Sequence, residues 1–143
     1  MSDTVDLSIR QFTEAWRVIC TGHPGHTAAA VDGVEYIFSG CPIAFFNVAI
    51  LTGRSISSEA LKTRAEQACT WASATHVPWL FILTHEALDP GIDAASILDG
   101  CGLGPMMAMT GMLAQQVAPV ASLPVGLQLT VPQDDAACAA IVD

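Results

Sequence analysis

The chain has 143 residues, which is enough to bury a hydrophobic core without help from disulfides or metals. Apolar residues make up 52% of the sequence and charged residues only 13%, which excludes an intrinsically disordered protein. The formal net charge is −9 with only five lysines and arginines, so we expect no nucleic-acid partner and no binding to anionic membranes.

Two apolar stretches are candidates for a transmembrane segment, and neither fits one. Residues 41–51 are too few to span a bilayer, and residues 106–125 contain two glutamines and two prolines. The acidic N-terminus is not followed by the apolar segment of a signal peptide, and the five cysteines form no CxxC pair. We therefore expect a cytoplasmic protein with reduced thiols and no membrane span. Because the chain is so apolar and carries so few charges, part of its surface should be apolar too, which favours association with another subunit.

The first predicted element is a helix over residues 8–20. Its apolar residues recur every three or four positions, and Ser8 with Gln11 has the spacing of a capping box. Residues 21–26 contain two glycines and a proline, which predicts a loop. β-Branched and aromatic residues then predict a strand over residues 33–39.

The middle of the chain predicts a strand, a helix and a further strand. The first of these strands covers residues 43–52 and follows a turn at residues 40–42. Residues 57–75 begin with a serine cap and carry an apolar stripe of leucine and alanine, which predicts a helix. Residues 78–84 are continuously apolar and predict a strand that is buried on both faces, so the helix would be a right-handed crossover.

The last part of the chain predicts shorter elements. A helix over residues 92–98 and a strand over residues 106–113 complete the order α, β, β, α, β, α, β. Residues 119–124 look like a connector, residues 127–131 resemble a strand, and a helix opens at Asp134. The fold class predicted from this order is α/β with a mixed sheet flanked by helices.

Three short segments carry a resemblance to a known family. They are Gly40-Cys41-Pro42-Ile43-Ala44-Phe45-Phe46-Asn47, His76-Val77-Pro78-Trp79-Leu80 and Leu98-Asp99-Gly100-Cys101-Gly102-Leu103. They resemble, in turn, a strand entry, the strand after the central helix and a helix end in the N-terminal halves of tandem GNAT proteins, the GCN5-related N-acetyltransferases. The resemblance covers roughly residues 12–113 and implies a GNAT-like acyl-CoA N-acyltransferase fold.

The resemblance also implies how the chain is divided. Residues 1–118 would be the GNAT-like N-terminal domain, and residues 119–126 a connector. Residues 127–143 would be the first strand and the truncated helix of a following GNAT half. In such a protein the C-terminal half would hold acetyl-CoA, and the present chain alone would hold no cofactor.

The turn before the central helix departs from the family pattern. An active GNAT domain carries Gln/Arg-x-x-Gly-x-Gly/Ala here, and its backbone amides surround the acetyl-CoA pyrophosphate. The corresponding cofactor-binding candidates are Thr52, Gly53, Arg54, Ser55, Ser57 and Ser58. A helix N-terminus and Arg54 would attract an anion, whereas the serines and Ile56 limit how closely the backbone approaches a diphosphate. Ordinary helix capping is the alternative interpretation.

Two further groups of residues are candidates for binding. Asn47 lies in an otherwise apolar strand, so its amide either secures a turn or, with Phe45, lines the substrate cleft that the resemblance implies. His23 and His26 lie near Cys20 in the sequence, but a zinc site needs three or four convergent ligands. We therefore expect no metal site in this chain.

The sequence supports three functional hypotheses. In the first, the chain is the non-catalytic or substrate-cleft half of an acetyltransferase-like protein, and acetyl transfer from acetyl-CoA to an amine requires the missing C-terminal half. In the second, it is a non-enzymatic binding or dimerisation module on the same fold. In the third, it is an independent acetyltransferase with an atypical phosphate loop. The expected partner is the missing half or a second copy, and no residue is identified as a catalytic base.

Overall fold

The computed structural model describes residues 2–111 and is a mixed α/β structure. Its elements are α1 (Ser2–Thr21), β1 (Thr27–Val31), β2 (Val34–Phe38), β3 (Asn47–Leu51), α2 (Ser58–Ser73), β4 (Leu80–Ile82) and α3 (Ala94–Asp99). Two single-turn 3-10 helices, Ala44–Phe46 and His85–Ala87, precede β3 and follow β4. None of the helices in this part of the chain is long and apolar enough to cross a membrane.

The strands form one mixed sheet in the order β1-β2-β3-β4. The first three strands are antiparallel neighbours, whereas β4 lies parallel to β3 and is reached through α2. The turn between β1 and β2 has only two residues, Asp32 and Gly33, and both have positive φ, at 50° and 78°. This is the conformation of a type I′ turn, which matches the twist of a hairpin and favours glycine.

Helices cover both faces of the sheet. On one face, Cys20 of α1 packs in a buried cluster with Ile37, Val48 and Ile50. On the other face, Leu61 and other α2 residues pack in the cluster that holds alternate residues of β2 and β3. These β2 and β3 residues are Val34, Tyr36, Ala49 and Leu51. The alternation follows from the two-residue period of a strand, and it places β3 at the centre of the core.

The sequence predicted most of these elements. The helices over residues 8–20, 57–75 and 92–98 are confirmed as α1, α2 and α3, although α1 begins earlier, at Ser2. The strands over residues 33–39 and 78–84 are confirmed as β2 and β4, with β4 shortened to Leu80–Ile82. The prediction that this last strand is buried on both faces is wrong, because β4 lies at the edge of the described sheet and its three residues are only half-buried.

Two further predictions need correction. The strand predicted over residues 43–52 begins only at Asn47, because residues 44–46 close a 3-10 turn in which Phe46 N–H bonds to Ile43 O at 3.0 Å. The strand predicted over residues 106–113 is absent from residues 106–111, which are exposed and lack a neighbouring strand. The remainder of that strand, the connector at 119–126 and residues 127–143 lie outside the described residues.

β1 has no counterpart among the elements predicted from the sequence. Its residues, Thr-Ala-Ala-Ala-Val, include three alanines, which carry no strand preference of their own. The strand forms because the Asp32-Gly33 turn folds it back onto β2, with Val31 opposite Val34. An Asp-Gly pair before the strand at 33–39 is the signal that would have revealed this hairpin.

Candidate functional site

Five of the six sequence-predicted cofactor residues lie together in one turn, residues 52–57, between the end of β3 and the start of α2, and the sixth, Ser58, begins α2. At its beginning, Thr52 contacts the hairpin turn through the carbonyl oxygen of Gly33. The backbone N–H of Thr52 donates to this oxygen at 2.8 Å, and the Thr52 hydroxyl donates to it at 3.1 Å. The 52–57 turn is therefore anchored to the turn between β1 and β2.

Ile56 fixes the other end of the 52–57 turn. Its side chain is 1% exposed and lies in the core, and its backbone forms a parallel bridge with Leu88. The N–H of Ile56 donates to Ala87 O at 3.1 Å, and its carbonyl accepts from the Asp89 N–H at 3.0 Å. Both backbone hydrogen-bonding groups of Ile56 are thus used within the protein, so its amide is not free to bind an anion.

Ser55 and Ser57 have different local roles. Ser55 has a φ of 49°, which is a left-handed conformation that glycine adopts without strain and other residues avoid. Ser57 is the N-cap of α2, and its hydroxyl accepts a hydrogen bond from the Ala60 N–H at 3.2 Å. This bond satisfies one of the free donors at the helix start, as expected of ordinary capping. Ser58 is the first residue of α2.

Arg54, the cation of the predicted site, is engaged with α1. Its Nη1 lies 3.1 Å from Oδ1 of Asp6, and the two side chains are 33% and 50% exposed. The pair connects the 52–57 turn to the first helix. An anion at this turn would have to compete with the Asp6 carboxylate for the guanidinium.

A second arginine, Arg64, was not among the site residues predicted from the sequence, and it lies against the turn. A Cβ atom at Gly53 would lie 3.0 Å from Arg64 Nη1, and one at Gly33 would lie 3.4 Å from its Cζ and Nη2. The guanidinium therefore packs against both turns. Its Nη1 is buried and has no hydrogen-bond partner. The seven-residue spacing from Ser57 puts Arg64 on the same helix face, and this spacing is the signal that could have identified it.

Arg64 lies in a shallow groove at the start of α2 that also carries negative charge. Asp32 and Glu59 line the groove, together with Ser57, Ala60, Thr63 and Gln67. Burial, with a contribution from the Asp32 carboxylate, raises the pKa of the nearby Tyr36 phenol. A diphosphate in this groove would face two carboxylates as well as one guanidinium, which weakens its binding.

Asn47 is fully buried and bonds only to main chain. Its Nδ2 lies 2.8 Å from Cys41 O, 3.0 Å from Ile43 O and 2.9 Å from Pro78 O, and its Oδ1 accepts from Gly40 N–H at 3.1 Å. The side chain thereby holds the turn before β3 and the segment that leads into β4. A cleft-lining role for Asn47 remains a prediction.

Phe45, the other predicted cleft residue, is half-buried beside α1. Its carbonyl accepts a hydrogen bond from the Trp16 indole at 2.8 Å, and the two rings have centroids 6.5 Å apart. Phe12 stacks on Trp16 at 4.4 Å. The three rings form an aromatic cluster that joins α1 to the start of β3, and the role of Phe45 in a cleft remains a prediction.

His23 and His26, the two histidines weighed as metal ligands, lie in the loop after α1. His26 Nδ1 lies 3.0 Å from His23 O, within the loop after α1. Among residues 2–111 no three His, Cys, Asp or Glu side chains are close enough to hold a metal ion. Burial raises the pKa of the Cys20 and Cys69 thiols, which disfavours the nucleophilic thiolate.

Comparisons with known proteins identify no relative. No protein-family model, curated protein or solved structure matches this chain.

Proposed function

We propose that this chain is a GNAT-like domain without a working pyrophosphate site, and that it is the non-catalytic half of an acetyltransferase-like assembly. It would contribute to the cleft for the acceptor amine, while a second domain would hold acetyl-CoA. The acyltransferase chemistry is mainly positioning of the amine next to the thioester and removal of its proton.

The order of elements supports the fold part of this proposal. The antiparallel strands β1, β2 and β3 are followed by the crossover helix α2 and by the parallel strand β4. The family carries its pyrophosphate turn between the central strand and the central helix. We infer that the 52–57 turn corresponds to it, because this turn joins β3, the most buried strand, to α2.

The observation that carries the proposal is the backbone of Ser55. When Gln/Arg-x-x-Gly-x-Gly/Ala is laid on the turn, Thr52 takes the first position and Ser55 and Ser57 take the two glycine positions. Ser55 has a φ of 49°, so the chain keeps a glycine-like backbone where the family has glycine. The positive φ of Ser55 supports a turn derived from a pyrophosphate loop, with side chains where close approach to phosphate requires none.

The surroundings of the turn support the loss of cofactor binding. The backbone groups of Ile56 bond to Ala87 and Asp89, and Arg54 pairs with Asp6. The carboxylates of Asp32 and Glu59 line the groove at the start of α2. Each of these features disfavours a diphosphate, so we expect this chain alone to bind acetyl-CoA poorly.

Calorimetric titration with acetyl-CoA tests the proposal. We expect no binding at micromolar concentration by the native chain and measurable binding by the double variant Ser55→Gly, Ser57→Gly, in which the two glycine positions are restored. A variant that also carries Thr52→Arg should bind more tightly, because it restores the first position of the pattern. Coenzyme A without the acetyl group should compete with it.

A neighbouring serine provides the matched control. Ser58→Gly changes the same residue type one position outside the pattern, so it should not create binding. Tight binding by the native chain would overturn the non-catalytic assignment. Failure of the restored variants to bind, although they remain folded by circular dichroism, would argue against a GNAT-derived turn.

A further inference from the structure

We propose that β1 pairs edge to edge with β1 of a second copy of this chain, which joins two four-stranded sheets into one. β1 is an outer strand of the sheet, and within the described part of the chain it pairs only with β2. Four of its five residues are exposed, and Val31 is 48% exposed. The proposal does not depend on the acyltransferase-like assignment.

The two-residue turn determines which backbone groups of β1 are free. Val31 and Val34 flank the turn and form a hydrogen-bonded pair, as in every two-residue hairpin. Because such pairs alternate along antiparallel strands, Ala29 and Thr27 also bond towards β2. The N–H and C=O groups of Ala28 and Ala30 therefore point to the open edge, where a second strand can bond to them.

One antiparallel register satisfies these groups symmetrically. If Ala29 lies opposite the partner subunit's Ala29, then Ala28 lies opposite the partner subunit's Ala30, and Ala30 opposite the partner subunit's Ala28. Both of these are hydrogen-bonded pairs, so the edge gains four main-chain hydrogen bonds about a two-fold axis. The small alanine side chains allow close approach.

Charge is compatible with the same register. Residues 18–31 contain no Asp, Glu, Lys or Arg, so β1 meets its copy without like charges, although the chain carries a net charge of −9. In the register centred on Ala29, the two symmetry-related Asp32 carboxylates lie at opposite ends of the paired segment and do not face each other.

The two edges of the sheet differ in how well they are protected. Natural edge strands are protected from pairing by charges, proline, bulges or short length, and β1 has none of these. The opposite edge strand, β4, has only three residues and is preceded by Pro78. A second copy therefore pairs through β1 and not through β4.

Light scattering and sedimentation on the full chain provide the first test. We expect the native chain to have twice the mass of its 15.0 kDa monomer, and we expect Ala30→Pro to reduce the measured mass to that of one chain. The proline removes only the outward N–H of an edge residue, so the intramolecular pairing with β2 is retained. Ser58→Pro is the control, because the first position of a helix accepts proline, and it should remain dimeric.

Cross-linking tests the register and does not rely on the folding of the proline variant. Ala29→Cys should form an interchain disulfide between two copies of residue 29 under mild oxidation, because this non-hydrogen-bonded pair brings the Cα atoms to about 4.5 Å. Val31→Cys lies opposite the partner subunit's Thr27 and should not link to itself. Peptide mass mapping separates these bonds from those of native cysteines. A native chain that stays monomeric up to millimolar concentration, a dimeric Ala30→Pro variant, or no link at residue 29 would overturn the proposal.

Discussion

The carboxamide nitrogen of Asn47 lies 2.9 Å from the carbonyl oxygen of Pro78, which connects the first residue of β3 to the segment that leads into β4. The same side chain bonds to the main chain of Gly40, Cys41 and Ile43. One buried amide thus holds together the β2–β3 turn and the parallel strand pair. Its hydrogen bonds hold together main-chain segments that are far apart in sequence.

Replacing this amide should be costly. We expect Asn47→Leu to lower the free energy of unfolding by about 2–4 kcal/mol, because buried main-chain groups lose their partners while the side-chain volume changes little. Urea denaturation measures this loss. Gln67→Leu removes an exposed amide from α2 and should change stability by no more than about 0.5 kcal/mol. Equal effects of the two substitutions would refute a structural role for the Asn47 bonds.

Arg64 should be replaceable without loss. Its Nη1 is buried without a hydrogen-bond partner, so Arg64→Met keeps the packing of the stem and removes an unsatisfied donor. We expect stability to stay the same or to rise by about 1 kcal/mol. Thermal unfolding measures the change, with Lys62→Met on the exposed face of α2 as the control. A loss of more than about 2 kcal/mol would mean that Arg64 has a stabilising partner.

A side chain at Gly33 should destabilise the hairpin turn. Gly33 has a φ of 78°, and a Cβ atom there would lie 3.4 Å from the Arg64 guanidinium. We expect Gly33→Ala to destabilise the protein by about 1–2 kcal/mol. Gly22→Ala is the matched control, because a Cβ at Gly22 has no atom within 4 Å. Equal midpoints of chemical denaturation for the two variants would contradict this interpretation of the turn.

Stability should fall in alkaline solution. Burial raises the pKa of Cys20 and Cys69 above the ordinary value of 9.0, and that of Tyr36 above 10.0. The folded state therefore holds these protons more tightly than the unfolded state. Their contribution to stability is complete below pH 9.0 and is lost as the pH rises through the raised values.

Unfolding free energies measured at pH 8 and at higher pH should show this loss. The slope of the free energy against pH should correspond to about one or two protons released on unfolding. Tyr36→Phe and Cys20→Ala each remove one of the groups, so each should reduce the slope above pH 9.0. An unchanged slope in both variants would assign the alkaline loss to other groups.

The sequence predicted the elements whose signal is local and missed those set by tertiary contacts. The apolar stripe of α2, from Leu61 to Ala72, and its Ser57 cap are visible in a short window. β1 has no such signal, because its alanines form a strand only when the Asp32-Gly33 turn brings β2 beside them. Residues 106–111 show the opposite case, in which apolar side chains are present but no strand pairs with them.

The candidate site was predictable to a similar extent. Its position follows from the pattern of a strand, a turn and a capped helix, which the sequence shows directly. The contacts that close the turn come from distant parts of the chain: Gly33 at its start, Ala87 and Asp89 at its end, and Asp6 on Arg54. Helical spacing from Ser57 would have been enough to add Arg64 to the predicted site. No local pattern encodes the other contacts.

The type I′ turn at Asp32-Gly33 also bears on the order in which the chain folds. β1, β2 and β3 follow one another closely in the sequence, so their pairing closes only short loops. The pairing of Val48 with Leu80 closes a longer loop that contains α2, so it forms only after α2. We therefore expect the three antiparallel strands to assemble before β4 docks. The uncharged outer edge of β1 would then be exposed on early folding intermediates, and the yield of refolding should decrease as the protein concentration rises.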